Sequence, residues 1–162
     1  MRILMACAAL VALIAGHASG QEAARTKDKD SVADATIINL CGGRLSKMFA
    51  QCGTPVDLRV KRGETPDEDD VLCDYGTYAF RVRDKLVRTC FFWVDWKGTV
   101  RGIKIGDRRE DVVKVLGKAP TTDKDKDGRV TAYGYEIKDL DADFFVNFDN
   151  DGKVWRVEIS LK

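Results

Sequence analysis

RGIKIGDRREDVVKVLGKAP, residues 101–120 of the 162-residue chain, is the stretch whose reading decides the fold. Ile103 and Ile105 alternate with polar positions, the period of a strand. Gly106 breaks that pattern. Asp107 is placed to cap a helix through its carboxylate, and Glu110, three residues on, completes a capping box. Val112, Val115 and Leu116 fall at i, i+3 and i+4 and give the helix one apolar stripe. Gly117 suits the left-handed residue that ends a helix, and Pro120 stops it resuming. The stretch reads strand, helix, stop.

Just upstream, CFFWVDW and TVRGIKI flank Lys97-Gly98 and read as two strands joined by a tight turn. That register sets Trp96 against Thr99, Val94 against Arg101 and Trp93 against Gly102. Phe92, Val94, Trp96, Ile103 and Ile105 then face the core, while Phe91, Trp93 and Asp95 point away. Trp93 opposite Gly102 reads first as an aromatic ring covering a bare glycine. The alternative is an exposed protein-contact patch made of Phe91 and Trp93, with Phe145.

Further out, the same grammar is found twice. Leu45, Met48 and Phe49 form an i, i+3, i+4 stripe, closed by Cys52-Gly53-Thr54-Pro55 much as Gly117 to Pro120 closes the later helix. TAYGYEI answers DYGTYAF, and FFVNFDNDGKVWRVEI answers FFWVDWKGTVRGI. The expected fold is α+β: two tandem helix-plus-antiparallel-meander repeats sharing one sheet, with helices on one face. Residues 36–105 and 106–162 are the two repeats of a single domain spanning 36–162. Residues 57–70 read as a charged, solvated loop, with a docking surface on its acidic run as the alternative.

The pattern Gly106-Asp107, Asp111-Val112, Leu116-Gly117 and Pro120 is followed by a hairpin ending Asp151-Gly152-Lys153-Val154. It resembles the small outer-membrane lipoprotein of the barrel-assembly machinery. It is also similar to each half of the beta-lactamase inhibitor protein, whose two tandem copies share one sheet. The resemblance covers residues 101–159 and, more loosely, 45–105. It implies an exported, non-enzymatic protein that binds another protein. The lipid-attached cysteine of the lipoprotein group has no counterpart here, and no inhibitor contact residue carries over.

The chain starts MRILMACAALVALIAGHASG: Arg2, an apolar run, then small residues, which reads as a secretory signal over residues 1–20. Residues 21–35 are polar and aperiodic, a disordered lead-in. The expected location is exported, periplasmic or secreted, without membrane insertion. The whole chain has 27 basic and 26 acidic residues, and loss of Arg2 with the signal leaves them equal. That balance argues against a nucleic-acid partner and toward another envelope or secreted protein. The one histidine, His17, lies within the signal, so Ser-His-Asp and Cys-His catalysis and histidine-ligated metals are excluded from the mature chain. Carboxylate-only catalysis remains, but no acidic pair stands out, and no enzymatic activity is expected. Cys41, Cys52, Cys73 and Cys90 remain once Cys7 is lost. An even count in an oxidising compartment reads as two disulfides, with three pairings open.

Two acidic strings invite a calcium reading. Asp123, Asp125 and Asp127, followed by Gly128, match the first half of a calcium loop, but its bidentate acid is missing because that position is Gly134. Asn147, Asp149, Asp151, Gly152 and Glu158 match the whole spacing. There the flanks alternate as strands, and Glu158 lies about 20 Å along the strand from Asp151. Asp149 to Gly152 is therefore a hairpin turn. The expected function is a protein-binding module, an inhibitor or assembly accessory, with no cofactor. A calcium-responsive structural protein using the Asp123–Asp127 loop is the alternative.

Overall fold

The computed structural model describes residues 40–65 and 68–162. The expected signal at 1–20, the lead-in at 21–35 and the start of the domain at 36–39 lie outside the described residues. In chain order the elements are α1 (Leu45–Cys52), β1 (Asp57–Lys61), β2 (Asp70–Asp74), β3 (Tyr78–Arg83) and β4 (Leu86–Trp93). Then come α2 (Arg109–Leu116), β5 (Thr121–Lys124), β6 (Val130–Ile137), a 3-10 turn (Lys138–Leu140), β7 (Ala142–Phe148) and β8 (Val154–Leu161).

The strands form one sheet in the order β1-β2-β3-β4-β8-β7-β6-β5, and every neighbouring pair is antiparallel. At its centre β4 lies against β8, from Thr89 opposite Ser160 to Trp93 opposite Arg156. Period-two alternation then sorts the side chains. Phe80, Cys90, Phe92, Phe144 and Ile159 turn to one face, where Met48 of α1 and Val112 of α2 join them in a single buried cluster. Ala79, Phe91 and Ala132, on the alternate positions, are buried outside that cluster. β1 forms one edge of the sheet and is exposed along its whole length.

The two helices end as their glycines require. Gly53 and Gly117 have φ of +74° and +81°, and their N–H groups donate to the Phe49 and Val113 carbonyls. Met48 and Val112 are fully buried, and Leu45, Phe49 and Leu116 pack beside them. Val115, expected on the buried stripe, is instead 54% exposed. Leu116, four positions after Val112, packs against the core in its place. Asp107 does not cap α2. Its carboxylate accepts the Lys104 N–H at 2.8 Å and so holds the turn before the helix, while the cap position is Arg108, without a side-chain bond.

The stretch around Lys97-Gly98 departs furthest from expectation. β4 ends at Trp93, and residues 99–105 form no strand. Trp96, Val100 and Ile103 are instead threaded through turns into the core cluster, with Val100 and Ile103 bridged to each other. Val94 is 58% exposed, against its expected core position. Gly98 lies flat on the Trp96 indole: a Cβ there would sit 2.8 Å from the ring. Gly102 is opposite no tryptophan, and its Cβ position is 3.2 Å from Val115.

The strand expected to lead into α2 is therefore absent, since none lies between Trp93 and Arg109. The fold is one eight-stranded antiparallel sheet with two short helices, sealed across its centre by β4 and β8 and sharing one core. This replaces the tandem-repeat plan as the unit of the structure. Neither four-stranded half closes its own central edge without the other.

Gly98→Ala should lower stability by about 1–3 kcal/mol through the clash with Trp96. Chemical denaturation followed by tryptophan fluorescence checks this.

Candidate functional site

The cluster-free face of the sheet brings together the aromatic residues singled out in the sequence. Phe91 and Trp93 come from β4, Phe145 from β7, and between them on β8 lie Arg156 and Glu158. Phe91 and Phe145 both pair with Glu158, and Trp93 pairs with Arg156. Arg81 of β3 sets its guanidinium 5.4 Å from the Phe91 ring centre.

These aromatics differ in what they offer. Phe91 is only 7% exposed; it lies under Arg81 and beside Trp93, with ring centres 6.1 Å apart. It is thus a floor for the patch rather than a contact. Trp93 and Phe145 are half-buried. Trp93 is held in place because its indole N–H donates to the Gly76 carbonyl at 2.6 Å. Gly76 itself donates its N–H to the Asp74 carboxylate at 2.7 Å, so the β2–β3 turn fixes the indole. Phe145 supplies the ring-over-glycine contact expected of Trp93: it pairs with Gly134, whose Cβ position is 3.3 Å from the ring.

Three further residues complete the patch and escaped the sequence reading. Arg81 and Arg156 both act on Glu158, the nearer Arg156 at 3.6 Å. The Arg156 guanidinium also lies over the Trp155 ring at 4.9 Å, and Trp155 is exposed. A tryptophan followed by an arginine in a strand was the available signal. It was obscured by a register shift between Asn147 and Phe148, which makes Trp155 an extra residue in β8. Burial pushes the Glu158 carboxyl above the ordinary glutamate range, and Arg156 and Arg81 only partly offset this. Two guanidiniums therefore address one carboxylate that resists ionising.

The residues of the calcium reading serve turns. Asp123 is part of β5, opposite Ala132. Asp125 accepts the N–H groups of Asp127 and Arg129 through one carboxylate oxygen, both at 2.9 Å. Asp149 does the same for Asp151 and Lys153, at 2.9 and 2.8 Å. In each turn the glycine, Gly128 or Gly152, takes the positive φ. Among the described residues no group of three or more acidic, histidine or cysteine side chains is arranged to hold a metal ion.

All four cysteines are thiols in this structure. Cys41, Cys73 and Cys90 are buried and Cys52 is half-buried. Burial pushes the Cys52 and Cys73 thiols up to about 11. Among the described residues no helix is long and apolar enough to cross a membrane.

No family model matches the chain, and no curated protein matches it. Among solved structures, the fold is similar to an extracellular protein containing a SCP domain from Bacillus anthracis str. Ames. The TM-score is 0.60 at 15% identity, over 85% of this chain and 48% of that one. A cysteine-rich secretory protein from Staphylococcus aureus subsp. aureus Mu50 aligns with a TM-score of 0.49 at 14% identity, over 76% of this chain and 44% of that one. The chain thus spans about half the length of these structures. At this identity the likeness concerns the fold of the aligned stretch alone. It overturns the resemblance to the beta-lactamase inhibitor protein and to the barrel-assembly lipoprotein, since the structural neighbours are SCP-domain-containing proteins instead. The short Gly-Asp to Gly-x-x-Pro pattern behind that resemblance describes a helix with its stop, which many folds share.

Two measurements test this geometry. Because Glu158 holds its proton more tightly folded than unfolded, stability should fall as pH rises from the ordinary glutamate value of 4.5 through the raised folded value. Glu158→Gln should remove that fall, so that the variant gains on the parent between pH 4 and pH 7 in urea titrations (about 1–3 kcal/mol/M slopes resolve it). Asp125→Ala should cost about 1 kcal/mol through its two lost turn hydrogen bonds. Thermal melts in chelator and in millimolar calcium should show the same loss.

Proposed function

We propose that this chain is an exported, non-enzymatic protein-binding module that contacts its partner through the cluster-free face of the sheet. The carrying observation is the composition of that face: half-buried Trp93 and Phe145 and exposed Trp155, interleaved with Arg81 and Arg156 around Glu158. Tryptophan and arginine are the residues that dominate binding energy at protein interfaces. Trp93 is already fixed by Gly76, so little side-chain freedom remains to be lost on docking.

The charge of the patch selects the partner. With two guanidiniums facing one carboxylate, the centre of the face carries a net positive charge. The fitting partner is a folded protein that presents an apolar side chain flanked by carboxylates. Export is supported by the signal-like opening of the sequence, and the Bacillus anthracis structure of similar fold is of an extracellular protein.

The test is capture of a partner from envelope and culture extracts by the immobilised chain, followed by affinity measurement with the purified pair. Trp93→Ala should weaken binding at least about tenfold, the size of a hot-spot loss. Arg81→Glu should do the same, and both variants should keep the parent far-UV spectrum. A partner bound equally by parent and both variants would move the interface off this face, and an extract with no specific partner would remove the reading.

A further inference from the structure

We infer that a disulfide oxidant closes two bridges in this chain, Cys41 to Cys90 and Cys52 to Cys73. Of the three pairings that four cysteines allow, the sheet removes two.

Cys73 on β2 and Cys90 on β4 are both in register with Phe80 on β3 between them. Two strand spacings separate them, about 9.6 Å. A disulfide needs Cα atoms within about 7 Å. That excludes Cys73–Cys90, and with it Cys41–Cys52.

Cys41 precedes a segment bound to the opposite edge of β4. The Gly42 N–H donates to the Val87 carbonyl at 2.8 Å, the Val87 N–H donates to the Gly43 carbonyl at 2.9 Å, and Arg44 bridges Leu86. Since β3 occupies the other edge of β4, this segment is three strand spacings from β2, about 14 Å. Cys41–Cys73 is therefore excluded, and Cys52–Cys90 falls with it.

The surviving pairing fits the contacts. The Cys41 and Cys90 thiols are hydrogen-bonded to each other. Cys52 ends α1, and that end is tied to the strand carrying Cys73. The Tyr75 hydroxyl donates to the Gly53 carbonyl at 3.0 Å, and the Val56 N–H donates to the Asp74 carbonyl at 2.7 Å. Cys52 and Cys73 also both act on the Tyr75 phenol, which lies beside them.

The chemistry has a direction. Cys41 keeps some exposure and Cys90 none. The hydrogen bond from Cys90 favours the Cys41 thiolate, while the same bond and burial hold Cys90 protonated. The Cys41 thiolate attacks one sulfur of the oxidant disulfide and expels the other as a thiolate. Cys90 then loses its proton to solvent, attacks the Cys41 sulfur and expels the second thiolate. One protein S–S bond forms, the oxidant S–S bond breaks, and two electrons pass to the oxidant. Cys52, half-buried, and Cys73, buried, both with raised thiols, follow more slowly by the same exchange.

Arg44, Arg59 and Arg81 place the four cysteines in four different tryptic peptides. The test treats the reduced full chain with oxidised glutathione, alkylates remaining thiols over a time course, and maps the peptides without reduction. The expected map shows Cys41–Cys90 first and Cys52–Cys73 later, with the intact mass down by four hydrogens. In Cys90→Ser, Cys52–Cys73 should still form while Cys41 is trapped as a mixed disulfide with glutathione and joins no protein bridge. Any other linked pair, a link from Cys41 to Cys52 or Cys73 in the variant, or the absence of either expected linkage overturns the inference.

Discussion

The seam between β4 and β8 is the interaction on which the rest of the molecule depends. It joins residues 89–93 to 156–160, so the sheet closes across its centre only once the second four strands have been made. On one side of the seam Cys90 meets Ile159 and Phe92 meets Val157, in the middle of the buried cluster. On the other side Phe91 meets Glu158 and Trp93 meets Arg156. Thr89 and Ser160 close its end with a hydroxyl–hydroxyl contact at 3.2 Å. One set of backbone bonds thus organises both the core and the candidate binding face.

That dependence explains why the face is built as it is. A sheet side that none of the described helices covers must shield its own apolar residues, and here long cationic side chains do so. Arg81 lies on Phe91 and Arg156 on Trp155. Each guanidinium gains an aromatic partner while staying within reach of solvent. Glu158 sits under the same cover, and its reluctance to ionise is the electrostatic mark of how dry the seam is on this side.

Features settled within one turn of helix or one hairpin were legible in the sequence. The glycine stops at Gly53 and Gly117, the buried Met48 and Val112, and the turn at Asp149 to Gly152 all follow from local pattern. The stretch from Val94 to Ile105 was not. Its alternation imitates a strand, yet the Trp96 ring takes the space over Gly98, and Arg101, Gly102 and Gly106 all adopt positive φ. A strand cannot continue through such a backbone. The partner of β4 was hidden for a different reason: it lies more than 60 residues away, and local periodicity carries no record of long-range pairing. Of the candidate patch, Trp93 and Phe145 were visible as aromatics on outward positions. Arg81 and Arg156 became meaningful only once the register set them around Glu158.

The exposed edge strand β1 has a consequence for how the molecule moves. It is bonded to β2 alone, and Leu58 and Val60, which share the side of Cys73 and Val71, find no cover there. Little apolar burial opposes its detachment, whereas β4 and β8 are held on both edges and beneath. The sheet should therefore breathe from one rim, with amide protons of Asp57 to Lys61 exchanging with solvent long before those of the central strands. Opening of this kind would leave the seam and its aromatic face intact.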